Sequence, residues 1–174
     1  MRLADLNALD DGAAVGAFLR CCGSSRWAGQ MTAARPFAGA EAVRRTADAV
    51  WSELDRADWL EAFAAHPKIG ETRSGGSGAS AGLDWSQEEQ AGVAGAAAQS
   101  LHRLTEANRD YEARFGYLFI VCATGRTAGE MLTLLEDRLR HDPAEELRVA
   151  AEEQRKITQL RLRKLLEQEP DTNP

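Results

Sequence analysis

"SQEEQAGVAGAAAQSLHRLTEANRDYEARFG", residues 86–116, decides the fold. Ser86 suits a helix N-cap, and Glu89, three residues on, completes a capping box in which the two side chains satisfy backbone N–H groups left open by the first turn. Val93, Ala97, Leu101, Leu104 and Tyr111 then recur at three- and four-residue spacing and draw one apolar stripe. A helix so striped needs neighbours to cover it, and the flanking sequence offers more helices rather than strands.

Downstream, "GYLFIVCATG" (116–125) is nearly all apolar and too short to span a bilayer, and it is expected to be a buried helix. "TAGEMLTLLEDRLRH" (127–141) opens with a second capping box, Thr127 with Glu130, and stripes through Met131, Leu132, Leu135 and Leu139. Pro143 starts a last helix through Leu147, Ala150, Ile157 and Leu160 to about Leu166. Upstream, helices are expected in "DDGAAVGAFLRCC" (10–22), in "AGAEAVRRTADAVW" (38–51) after the break at Pro36, and in "DRADWLEAFAAH" (55–66). The last of these stops about where Pro67 begins, since proline disfavours helical geometry in the residue before it. "SGGSGASAG" (74–82) holds no regular structure and is expected to be a flexible loop, either a surface excursion or a lid beside a site. The expectation is an all-α, compact, single-domain bundle of seven to eight helices over residues 1–174, with a frayed tail at 168–174.

A hydrophobic share of 44% with 28% charged residues is that of an ordinary globular protein. No apolar run approaches a membrane span, the acidic start "MRLADLNALDDG" is not a signal peptide, and "EQEPDTNP" carries no peroxisomal tripeptide, so the cytoplasm is the expected compartment. A formal charge of −6 argues against a nucleic-acid groove and leaves a small molecule or a protein as partner. Cys21, Cys22 and Cys122 are read as free thiols, because an odd count with two adjacent residues makes no disulfide framework. His66, His102 and His141 lack metal-ligand spacing, so no metal is expected, and no nucleophile elbow, P-loop or dinucleotide fingerprint is present.

Three residues stand out chemically. His66 follows Phe63 by three positions and Trp59 by seven, which puts an imidazole on the apolar side of its helix end, as a structural group or as an acid/base. Glu89 lies on the stripe side of its helix, whereas Glu88 points elsewhere; the capping box alone would also explain it. Arg161 falls inside the arc bounded by Ile157, Leu160 and Leu165, where it either snorkels from the stripe edge or enters a site.

"CGSSRWA" (22–28), "RPF" (35–37), "HPKIGE" (66–71), "SQEEQ" (86–90), "RFGYLFIVCATGRT" (114–127) and "KITQLRLRKLL" (156–166), in this order, resemble the 2-oxo-4-hydroxy-4-carboxy-5-ureidoimidazoline (OHCU) decarboxylases of uric acid breakdown. The resemblance covers nearly the whole chain. It implies an all-α fold, no cofactor, and decarboxylation of OHCU to (S)-allantoin. It implies that His66 is the catalytic acid/base and Glu89 an essential carboxylate. Pro67, Ser86, Gln87, Glu88 and Gln90, the segment Phe119, Ile120, Val121, Cys122 and Ala123, and Arg161 inherit substrate-binding roles. A homodimer is entertained as the assembly. Two other functions stay open: a noncatalytic helical module that binds a partner through an apolar groove, and a cofactor-free hydrolase of a related ureide.

Overall fold

Glycine or proline follows several of the helix ends, and the computed structural model, which describes residues 1–67 and 98–167, contains α-helix as the regular structure of those residues. The described helices are α1 (Leu3–Ala8), α2 (Asp11–Cys21), α3 (Ser25–Ala33), α4 (Ala40–Ser52), α5 (Arg56–Ala64), α6 (Ala98–Phe115), α7 (Ala128–Arg138) and α8 (Pro143–Glu167). The protein is all-α, as expected. The capping box at Ser86 and Glu89, the stripe positions Val93 and Ala97, the 74–82 loop and the 168–174 tail lie outside the described residues. The residues group into two compact units, one from Met1–Ala62 and Arg155–Pro174, the other from Phe63–Gln154.

In the first unit, Asp10 caps α2 by accepting from the Ala13 N–H at 2.9 Å, and Ser24 caps α3 by accepting from the Trp27 N–H at 3.2 Å. Phe18 of α2 is fully buried and meets the rings of Trp27 and Phe37 edge-on, with centroids 5.9 and 6.2 Å away. The Trp27 indole N–H donates to the Ala47 carbonyl at 3.2 Å and ties α3 to α4. Asp48 of α4 accepts from Arg155 at 3.0 and 3.1 Å and from Gln159 at 2.8 Å, which binds the C-terminal half of α8 to α4.

Two helices, α1 and α3, were not among those expected. The six-residue α1 has no side-chain cap, and residues far along the chain hold it. Asn7 exchanges two 2.9 Å hydrogen bonds with the Phe37 backbone, and Arg35 donates to the carbonyls of Leu6 at 3.2 Å and Leu9 at 2.6 Å. Local pattern carries no trace of such partners.

In the second unit, α6 buries Leu104, Tyr111 and Phe115 and ends where Gly116 takes φ +80°, a left-handed geometry that glycine adopts without strain. The Thr127–Glu130 capping box forms as expected and opens α7, which buries Met131, Leu132 and Leu135 while Leu139 is only half-buried. Between them, the expected buried helix at 116–125 is absent, a correction with a physical reason. Four to eight apolar residues read alike as buried helix or buried extended chain. Here Gly116 stops α6, and the segment runs on without helical hydrogen bonding, burying Tyr117, Phe119 and Ile120.

α8 departs from its expected stripe as well. Ala150 and Ile157 are buried, but Leu147 and Leu160 are only half-buried. The inward positions include Glu146, Glu153, Gln154, Thr158 and Arg161, so this helix turns a polar row toward the interior.

Phe18→Ala is expected to destabilise the protein by about 3–5 kcal/mol, the usual cost of removing a fully buried aromatic ring. Leu19, at 37% exposure the neighbouring residue open to solvent, should change stability by no more than about 0.5 kcal/mol when cut to alanine. Urea unfolding of the two variants measures the difference.

Candidate active site

His66 stands two residues past the end of α5. Its N–H still donates to the Phe63 carbonyl at 3.1 Å, so the last turn of backbone carries the ring although the helix proper stops at Ala64. Pro67 follows and prevents the turn from continuing. Both residues are half-buried. The Phe63 ring lies 5.4 Å from that of Tyr117, which packs this turn against the start of the irregular segment after Gly116.

The His66 Nε2 atom lies 2.7 Å from Oε1 of Gln154, a fully buried amide on α8. One residue earlier, Glu153 accepts the backbone N–H of Cys122 at 2.8 Å. Consecutive residues of one helical turn therefore hold the histidine and the middle of the 119–123 segment. Within that segment Phe119 and Ile120 are buried, and Val121, Cys122 and Ala123 are half-buried.

A buried polar cluster holds the other end of the segment. Arg138 donates from one guanidinium nitrogen to the Ile120 carbonyl at 2.7 Å, from Nε to the Glu146 carboxylate at 2.8 Å and from its second terminal nitrogen to the same carboxylate. Its guanidinium also sits over the Phe119 ring, 4.6 Å from the centroid. Glu146 accepts in addition from the Tyr111 hydroxyl and lies 2.8 Å from Nδ1 of His141. Burial, foremost, pushes the Tyr111 phenol well above its ordinary range, so it stays protonated and donates. The 119–123 backbone is thus pinned at Ile120 by a donor and at Cys122 by an acceptor. Both anchors act on the main chain, so the backbone of this segment is held by side chains from outside it.

Of the other residues singled out in the sequence, Ser86, Gln87, Glu88, Glu89 and Gln90 lie outside the described residues. Arg161 is buried in the first unit, close enough to Cys21 and Cys22 for its positive charge to act on both thiols. Burial outweighs that charge and pushes Cys21 up to about 12 and Cys22 up to about 11, the latter opposed also by hydrogen bonds involving Ser24 and Thr158. All three cysteines are free thiols. Among the described residues no three metal-ligating side chains gather, and His102 is on the surface beside Glu106. Sequence reasoning missed Arg138, Glu146, Glu153 and Gln154. The one available signal was Gln154, placed three residues before Ile157 and seven before Arg161, hence on an inward face.

The family model described as OHCU decarboxylase matches residues 7–163. The "Uric acid degradation bifunctional protein TTL" of Arabidopsis thaliana is 42% identical over 145 residues, which are 83% of this chain and 45% of the plant protein. The chain therefore spans less than half the length of that relative. The 2-oxo-4-hydroxy-4-carboxy-5-ureidoimidazoline decarboxylase of Haloferax volcanii is 28% identical over 168 residues, covering 93% of this chain and 94% of the archaeal one. A crystal structure of OHCU decarboxylase in the presence of (S)-allantoin superposes with a TM-score of 0.75 at 39% identity, over 91% of this chain and 99% of that one.

Arg138→Met leaves the Glu146 carboxylate buried without its cation and is expected to cost about 3–5 kcal/mol. Adding Glu146→Leu removes the stranded charge, so the double variant should be less destabilised than the sum of the two single ones. Denaturant unfolding of all three variants checks this.

Proposed function

The chain belongs to the OHCU decarboxylase family, and from that membership we propose that it converts OHCU to (S)-allantoin and carbon dioxide, with His66 as the acid/base. The observation that carries the assignment of residues is the pairing on α8: Gln154 meets His66 while Glu153 takes the Cys122 N–H, so one turn gathers an imidazole and a braced stretch of backbone.

The chemistry needs little beyond such a site. The carboxylate of OHCU sits on a carbon next to a ring C=N bond. When the C–C bond breaks and carbon dioxide leaves, the electron pair moves toward that C=N, whose nitrogen takes up a proton. The resulting enol then gives up its hydroxyl proton and gains one at the former imine carbon, which leaves the carbonyl of allantoin. The substrate is its own electron sink, and this supports a reaction without an organic cofactor or metal. What the protein supplies is one bound conformer, shelter from bulk water and proton delivery to a single face, which sets the stereochemistry.

In this proposal His66 accepts the hydroxyl proton and returns a proton to carbon, since an imidazole exchanges protons near neutral pH. Backbone groups of residues 119–123 hold the ring and ureido arm. Glu89 grips substrate N–H groups, with Pro67, Ser86, Gln87, Glu88 and Gln90 contributing contacts. Arg161 offers its planar fork to substrate oxygens. The substrate is a small molecule met in the cytoplasm. The net charge of −6 speaks against a nucleic-acid partner, and among the described residues no helix is long and apolar enough to cross a membrane.

His66→Ala and His66→Asn are both expected to lose about 10²- to 10⁴-fold in turnover with unchanged thermal unfolding, read by the circular dichroism of allantoin forming from freshly generated substrate. Wild-type turnover in either variant would end the assignment. Arg161→Lys keeps the charge but loses the fork, so the same assay should show at least a tenfold loss, about 1.4 kcal/mol in the transition state. Arg163→Lys, at an exposed position beside Glu167, should be silent.

A further inference from the structure

We propose that Glu153 is a positioning residue for the substrate: by holding the Cys122 N–H it fixes the peptide unit whose carbonyl belongs to Val121, and that carbonyl is the acceptor that meets an N–H of the bound ring or ureido arm. The inference rests on the reading of residues 119–123 as the segment that holds the substrate. It specifies which atom of the segment does so and which side chain aims it.

A peptide unit is planar and, when trans, points its C=O and its N–H in opposite directions. Among the described residues the one cis bond is Arg35–Pro36, so the units on either side of Val121 are trans. A main-chain N–H only donates, which leaves no choice of roles in the 2.8 Å bond from Cys122 to the Glu153 carboxyl group. The Val121 carbonyl shares that plane and therefore points away from Glu153. The preceding unit is held in the same manner: the Ile120 carbonyl accepts from Arg138 at 2.7 Å, so the Val121 N–H points away from Arg138. Both main-chain groups of one residue are thus aimed by side chains bonded to its neighbours.

Ile120 and Cys122 each commit a backbone group to a side chain, whereas Val121 does not. It is half-buried, and among the described residues its N–H and C=O have no hydrogen-bond partner. Backbone polar groups inside a protein are rarely left so, and a ligand is one partner that satisfies them. The ring and ureido arm of OHCU carry N–H donors beside carbonyl acceptors, the complement of an adjacent C=O and N–H. Glu153 is itself buried and stands near the middle of α8, where neighbouring turns restrict its rotamers, so a rigid element sets the plane it holds.

Valine followed by cysteine occurs in this chain once, at 121–122. Protein labelled with ¹³C at the valine carbonyl and ¹⁵N at cysteine therefore gives a single carbonyl–amide correlation, that of this peptide unit, while the Cys21 and Cys22 amides serve as exchange controls in the same sample. Titration with (S)-allantoin should shift the Val121 carbonyl signal, and the Cys122 amide should exchange slowly. Glu153→Met removes the acceptor, so Cys122 exchange should rise about tenfold while Cys21 and Cys22 keep theirs. KM for freshly generated OHCU should rise at least about fivefold in that variant, with kcat less affected. Glu153→Gln keeps an acceptor oxygen at the same reach and should stay closer to wild type in both readouts, whereas Glu153→Asp keeps the acid, is one methylene short and should resemble the methionine variant. A Val121 carbonyl signal unmoved by allantoin in protein that turns OHCU over would overturn the inference. So would wild-type KM in folded Glu153→Met, or a glutamine variant no better than the aspartate one. If the methionine variant does not fold, the titration and the glutamine–aspartate comparison decide the matter. If the wild-type protein does not turn OHCU over, the functional reading fails instead, and Cys122 exchange still decides whether Glu153 holds the segment.

Discussion

The Arg138–Glu146 pair is the constraint on which the second unit depends. A guanidinium and a carboxyl group with almost no exposure to water are tolerable only when they are paired and hydrogen-bonded, and here they are. Glu146 collects the guanidinium, the Tyr111 hydroxyl and the His141 ring, while Arg138 also donates to the Ile120 carbonyl and to the Tyr111 hydroxyl. The pair joins α6, α7 and the start of α8, and it gives the irregular 116–123 stretch a reason to be in one place. Arg138 satisfies the Ile120 carbonyl and Glu153 the Cys122 N–H, so side chains of α7 and α8 supply what regular structure does not.

The same logic explains why irregular backbone and not a helix is used there. A helix consumes its own N–H and C=O groups, so an apolar helix could offer a ligand only its side chains. Chain held by Arg138 and Glu153 from outside leaves backbone groups at intermediate positions oriented by their neighbours. Apolar residues such as Phe119 and Ile120 then anchor the segment by burial while its main chain is held by side chains.

Much of this architecture was legible in the sequence. The stripe through Leu104 and Tyr111, the Thr127–Glu130 cap and the proline at the start of α8 follow from local physics, and the elements they predict are present. What escaped reading depends on partners far along the chain. α1 is secured by Asn7 and Arg35 bonds spanning 26 to 30 residues, and no local pattern encodes them. The run at 116–125 is ambiguous because its period does not distinguish helix from extended chain. At the candidate site, family resemblance pointed to His66 and the 119–123 segment, whereas nothing pointed to their contacts with Arg138, Glu146, Glu153 and Gln154. A polar residue on an inward helical face looks like a fault in the stripe until its partner is known, and Arg161 was noticed for that reason alone.

The position of Glu153 and Gln154 near the middle of the 25-residue α8 has a kinetic side. Helices come apart from their ends, and the innermost turns open only when most of the helix goes with them. Fraying at Pro143 or Glu167 therefore reaches these two side chains last. The half-buried histidine itself stands on a terminal turn, where local opening is easiest, but its partner belongs to one of the slowest-opening parts of the helix. An imidazole on a terminal turn is thereby tied to a side chain from the middle of a long helix, the part that opens last.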